Sequence, residues 1–114
     1  MPSGKPVRGS SVLLLGVTYK PNIADQRESP AVPLARHLLG LGAVVAYHDP
    51  HVTSWSAAPA AVTRATDLED AVSSADMVIL LQDHREFDAD ALAKRAKLFL
   101  DTRGVTTVVE SQRL

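Results

Sequence analysis

The chain has 114 residues, 46% of them hydrophobic, which suffices for one domain with one core and leaves no room for two. A formal charge of −1 with no cluster of Lys and Arg argues against nucleic acid as a partner, because duplex binding needs several grouped cations. The absence of cysteine excludes a disulfide framework, a thiolate zinc site and a cysteine nucleophile from these residues.

The first segment, "MPSGKPVRGSS", is polar and shows neither helical nor strand periodicity, so residues 1–10 are predicted to be a tail or severed linker and residues 11–114 the domain. It carries no secretory pattern, and the longest apolar runs, 12–15 and 77–81, fall far short of the roughly 20 residues a membrane span needs. No membrane contact and a cytoplasmic location are the expectations. "SVLLLGV" is an apolar run bounded by turn formers, the mark of a strand buried on both faces. Ser29 then offers a cap and Pro30 a first helical position, with Ala31, Leu34, Ala35, Leu38 and Leu39 at helical spacing until Gly40 and Gly42. "AVVAYHDP" is a second strand and "TSWSAAPAA" a loop of small residues. "AVTRA" is a short third strand, and Thr66 or Asp67 caps a helix through "LEDAVSSA". "MVILLQ", "DADALAKRA" and "KLFLDTRG" continue as strand, helix and strand. This alternation predicts an α/β domain of three layers, Rossmann-like, with a mostly parallel sheet of about five strands and helices on both faces.

In such a sheet ligands bind beyond the carboxyl ends of the strands. The residues just past those ends are "TYKPN", "YHDP", "QDHREF" and "DTRG", so Tyr19, Lys20, His84, Asp101 and Arg103 share one edge, near the helix start at Ser29. Lys20 and Arg103 read either as solvated loop cations or as a seat for a phosphate or diphosphate. Asp25, Arg27 and Glu28 read first as a solvated ion-pair cluster ahead of a helix. The dinucleotide fingerprint requires several glycines, and "GVTYKPN" has only Gly16, so NAD held by this domain in the usual way is not expected. His48 and His51 bracket Asp49 without a third convergent ligand, which predicts a turn and no metal. Trp55 reads either as a plug under its loop or as an exposed contact for a partner.

"LLLGVTYKPNIADQRESPAVPLARHLLGLGAVVAYHDPHV", followed by "ADMVILLQDHREF" and "LFLDTRG", resembles the carboxy-terminal UDP-binding domain of the UDP-glucose/GDP-mannose dehydrogenase family, from residue 11 to about residue 105. The run 19–30 together with "YHDPHV" resembles the UDP-N-acetylglucosamine or N-acetylmannosamine 6-dehydrogenase branch. The resemblance implies an enzyme of polysaccharide biosynthesis that oxidises a sugar C6 alcohol to a carboxylate with two NAD⁺. It further implies an NAD-binding domain, a central helical dimerisation region and a nucleophilic cysteine, all outside this chain, which alone is not expected to be catalytic. The implied partners are a UDP-sugar and those other domains, and monomer and homodimer both stay open. Lys20 and Arg103 are implied to reach the nucleotide-sugar or its diphosphate, while Asp25, Arg27 and Glu28 match the family's D-x-R-E stretch and brace the loop. Ser29 and Pro30 match its helix start. Ala24 departs from the pattern, standing where many relatives carry an acid. The rival reading is a non-catalytic regulatory or interaction domain that uses the Trp55 loop.

Overall fold

In a computed structural model, which describes residues 8–18, 30–55, 57–104 and 111–113, the strand β1 (Ser11–Leu15) shows why its sequence lacks alternation. Val12 and Leu14 pack on one face with Ala31, Ala35 and Leu38 of helix α1 (Ala31–Gly40). Leu13 and Leu15 pack on the other with Val72 of α2 (Leu68–Ser74) and Leu92 and Ala93 of α3 (Ala89–Arg95). Strand β4 (Met77–Leu80) divides in the same way, Met77 and Ile79 toward α1, Val78 and Leu80 toward α2 and α3. Successive side chains of a strand face opposite ways, so a sheet covered on both sides needs apolar residues at every position. The three-layer expectation is met.

With β2 (Val44–His48), β3 (Thr63–Arg64), β5 (Phe99–Asp101) and β6 (Ser111–Arg113), the sheet has six strands in the order β3-β2-β1-β4-β5-β6, all parallel. The apolar pattern predicts about five. The sixth is β6, whose Ser-Gln-Arg sequence carries no such pattern. The chain runs outward from β1 to β3, then returns to β4 on the other side of β1. The switch point therefore lies between β1 and β4. Register brings Leu15, His48, Leu80 and Asp101 into one row across four strands, so the chain leaves all four at one level.

Helix starts follow their caps. Asp67 accepts the Asp70 backbone N–H at 3.1 Å, and Asp88 accepts that of Ala91 at 3.2 Å. For α1 the expected start shifts by one residue: Pro30 is the cap position and Ala31 the first helical residue. Pro33 costs no bond there, because the helix ladder opens one residue later with Leu34 N–H donating to Pro30 C=O at 3.2 Å. Trp55 resolves to the plug, 6% exposed and packed edge-on against Tyr47 with ring centroids 5.3 Å apart. Among the described residues no helix is long and apolar enough to cross a membrane.

One glycine is dictated by two constraints at once. Gly16, the first residue after β1, has φ +80°, and a Cβ there would lie 2.7 Å from the Gln82 carbonyl oxygen. The strand-1 exit and the strand-4 exit approach so closely that no side chain fits between them. Gly16→Ala is expected to destabilise the domain by about 2 kcal/mol or more, from left-handed strain plus the backbone clash. Thermal unfolding followed by circular dichroism measures it, and an unchanged midpoint would contradict the close approach.

Candidate functional site

Three chain segments leave the sheet around the switch point: 16–18 after β1, 49–52 after β2 and 81–87 after β4. One buried carboxylate joins them. Asp49 Oδ2 accepts the Val17 backbone N–H at 2.8 Å and His84 Nε2–H at 2.9 Å, and its Oδ1 accepts the His51 backbone N–H at 2.8 Å. Both side chains of the Asp49–His84 pair are 0% exposed. Because a carboxylate only accepts, Nε2 of His84 must carry the proton it shares with Asp49. Thr18 Oγ1, 3.3 Å from the same nitrogen, then serves as a weaker second acceptor for that proton. A carboxylate removed from water must find such donors inside the protein, and here three segments supply them.

A second pair lies nearer solvent. The His51 ring sits against the His84 ring with centroids 4.7 Å apart, and His51 Nε2 meets Glu86 Oε1 at 3.1 Å. Partial loss of hydration pushes the Glu86 carboxyl up, but hydrogen bonds from its own backbone N–H and from His51, with the pull of His51 and His84, outweigh it. The net position is below the ordinary glutamate value. His48 turns away, its Nδ1–H donating to Ala65 C=O at 2.8 Å. The rings of His48, His51 and His84 are thus each engaged by an oxygen, of Ala65 C=O, Glu86 and Asp49 in turn, and no group of three ligands suited to a metal occurs among the described residues.

The fourth exit is a tight turn after β5. Asp101 Oδ1 accepts the backbone N–H of Arg103 at 2.9 Å and of Gly104 at 2.8 Å, and Gly104 takes φ +69°. Thr102 ties the turn to the neighbouring strand, its hydroxyl donating to Leu80 C=O at 2.6 Å. Arg103 is left exposed on a clamped backbone.

Of the residues singled out from the sequence, Arg103, Asp101 and His84 all emerge on the carboxyl edge as predicted. Two of them do different work from a crevice lining. His84 is wholly buried and bonded to Asp49, and Asp101 is wholly buried under its own turn. Tyr19, Lys20, Asp25, Arg27, Glu28 and Ser29 lie outside the described residues. Asp49, read from sequence as part of a turn, is the hub of the edge. Its signal was a lone acid one residue past a buried strand, with a histidine past the strand on the other side of β1.

The strand order is the one that holds dinucleotides elsewhere, where an acid after β2 takes the ribose hydroxyls. Asp49 occupies that place but is 0% exposed and already accepts three donors. With a single glycine in the strand-1 turn, the described residues do not fit NAD bound in that manner.

The model of the UDP-glucose/GDP-mannose dehydrogenase family, UDP binding domain, matches residues 13–108. An NDP-N-acetyl-D-galactosaminuronic acid dehydrogenase of Ralstonia solanacearum is 37% identical over 99 residues, covering 82% of this chain and 22% of the relative. A UDP-glucose 6-dehydrogenase of Bacillus subtilis is 32% identical over 112 residues, covering 92% of this chain and 26% of the relative. Among solved structures, a UDP-glucose dehydrogenase from Pyrobaculum islandicum superposes with a TM-score of 0.73 at 30% identity, over 95% of this chain and 25% of that one. The chain spans about a quarter of the length of the curated relatives it matches.

The lowered Glu86 carboxyl makes a signed prediction. A carboxyl held below its ordinary value contributes stability that is present above about pH 4.3 and lost as pH falls through the lowered folded value. At 43% side-chain exposure solvent screens much of it. A carbon-detected NMR titration should place the Glu86 midpoint below an ordinary glutamate, and His51→Ala should move it upward. A midpoint indifferent to that substitution would refute the assigned cause.

Proposed function

The chain belongs to the UDP-glucose/GDP-mannose dehydrogenase family, as its UDP-binding domain, and from that premise we propose that it grips the diphosphate of a UDP-sugar with Lys20 and Arg103. The parent reaction is the NAD-dependent oxidation of a sugar C6 alcohol to a carboxylate, with NAD⁺ and the nucleophilic cysteine supplied by other domains of the enzyme.

The observation that carries this reading is the level carboxyl edge. Arg103 stands two residues past β5 on a turn clamped by Asp101, and Thr18, two residues before Lys20, stands three past β1. Those strands are separated only by β4, so their exits are about 10 Å apart at the usual strand spacing. Two long cationic side chains can span that gap around a diphosphate, and a guanidinium pairs two oxygens at once. The absence of a glycine cradle agrees with side-chain recognition. Asp25, Arg27 and Glu28 brace the loop that bears Lys20 in this proposal.

The relatives support the choice of ligand moiety. Their names cover UDP-N-acetyl-D-mannosamine, UDP-glucose and NDP-N-acetyl-D-galactosaminuronic acid dehydrogenases, at 31 to 37% identity to this domain. Different sugars beside one shared domain point to the nucleotide as what the domain holds. Trp55, the anchor of the rival interaction-domain reading, is buried against Tyr47 and offers a partner no surface.

Calorimetric titration of UDP into the chain should show binding. Lys20→Ala and Arg103→Ala should each weaken it on the order of tenfold, in line with loss of a charge-assisted hydrogen bond. Uridine should bind much more weakly than UDP. Equal binding by wild type and both variants, or no preference for UDP over uridine, would overturn the assignment.

A further inference from the structure

We propose that Asp49 and His84 are positioning residues for the nucleotide site, setting where the chain leaves strand β1 on its way to Lys20. The inference rests on the nucleotide reading above but concerns residues to which that reading gives no role. Val17 and Thr18 are the last described residues before Lys20. Both are held by this pair: the Val17 backbone N–H donates to Asp49, and the Thr18 hydroxyl lies against His84 Nε2.

The anchoring is rigid for two further reasons. Gly16 N–H donates to His48 C=O at 3.0 Å, so the strand-1 exit is bonded at consecutive residues to the strand-2 exit. His84 is seated from below by Phe87, with ring centroids 5.7 Å apart and the Phe87 backbone N–H donating to His84 C=O at 3.0 Å. His51 lies against His84 from the side, and is itself tied to Glu86. A ligand-bearing loop is only as well placed as the shell that holds its root, and a shift of about 1 Å at such a root can cost far more in affinity than the lost contact itself. The pair also explains a histidine where a packing residue would fill the space. An apolar side chain could occupy that volume but could not donate to Asp49, and the carboxylate would lose one of its three donors.

The test compares His84→Leu, which keeps bulk and loses the donor, with His84→Gln, which restores an N–H near the place of Nε2. UDP affinity, the unfolding midpoint and amide hydrogen exchange at Val17 are measured on each. His84→Leu should lower the unfolding midpoint, as loss of a buried donor requires, and at a temperature where it is fully folded it should weaken UDP on the order of tenfold. The same variant should speed Val17 exchange, and His84→Gln should recover most of both. Wild-type affinity and exchange in His84→Leu would overturn the proposal, as would failure of His84→Gln to recover either when both variants fold. If wild type binds no UDP, the nucleotide reading falls separately, and Val17 exchange still decides whether the pair holds the strand-1 exit. If His84→Leu does not fold, Thr18→Val takes its place. Weaker UDP binding with faster Val17 exchange supports positioning, and no change in either overturns it.

Discussion

A carboxylate withdrawn from water must be met by donors, and the carboxyl edge of this domain is organised around one that is. Asp49 gathers a backbone N–H from the strand-1 exit, another from its own turn and a ring N–H from the strand-4 exit. Those are the segments that diverge at the switch point, where an open sheet has a gap to fill. Losing a donor would leave the buried carboxylate less fully satisfied, and losing the carboxylate would remove the acceptor that three donors share, at a cost of about 1 to 3 kcal/mol for each buried group left unsatisfied. The interaction therefore does at the edge what apolar burial does beneath it.

This arrangement redirects a common fold. The six-stranded order is the one that elsewhere leaves a crevice for a dinucleotide, lined by glycines and an acid offered to a ribose. Here the acid is turned inward and the gap is closed by His84, while the strand-1 and strand-4 exits meet so tightly that only Gly16 fits. Closing that gap leaves the rim, and not the cleft floor, as the surface on which the Arg103 turn is displayed.

The layers beneath contribute in a plainer way. The buried apolar residues of β1 and β4 alternate between the two helix layers, and the register carries the exits of both strands to a common height. Asp101 and Thr102 then convert the end of β5 into a turn whose backbone is bonded at successive residues. Arg103 thereby gains a defined base without being buried.

Composition and periodicity by themselves determined the α/β class, the succession along the chain of the first five strands and the three helices, a cap at Thr66 or Asp67, and the edge on which Arg103, Asp101 and His84 emerge. Each of these is written in local patterns: unbroken apolar runs, helical spacing, an acid ahead of a helix. The family, too, was legible, in the long charged run after strand 1. Strand β6 was not, because three polar residues at a sheet edge carry no burial pattern. Nor was the pairing of Asp49 with His84, 35 residues apart, or the inward turn of Asp101. Whether an acid past a strand faces solvent or a donor depends on register and on how closely neighbouring exits approach. Those distances exist only once the sheet has assembled, and so the tertiary structure alone decided them.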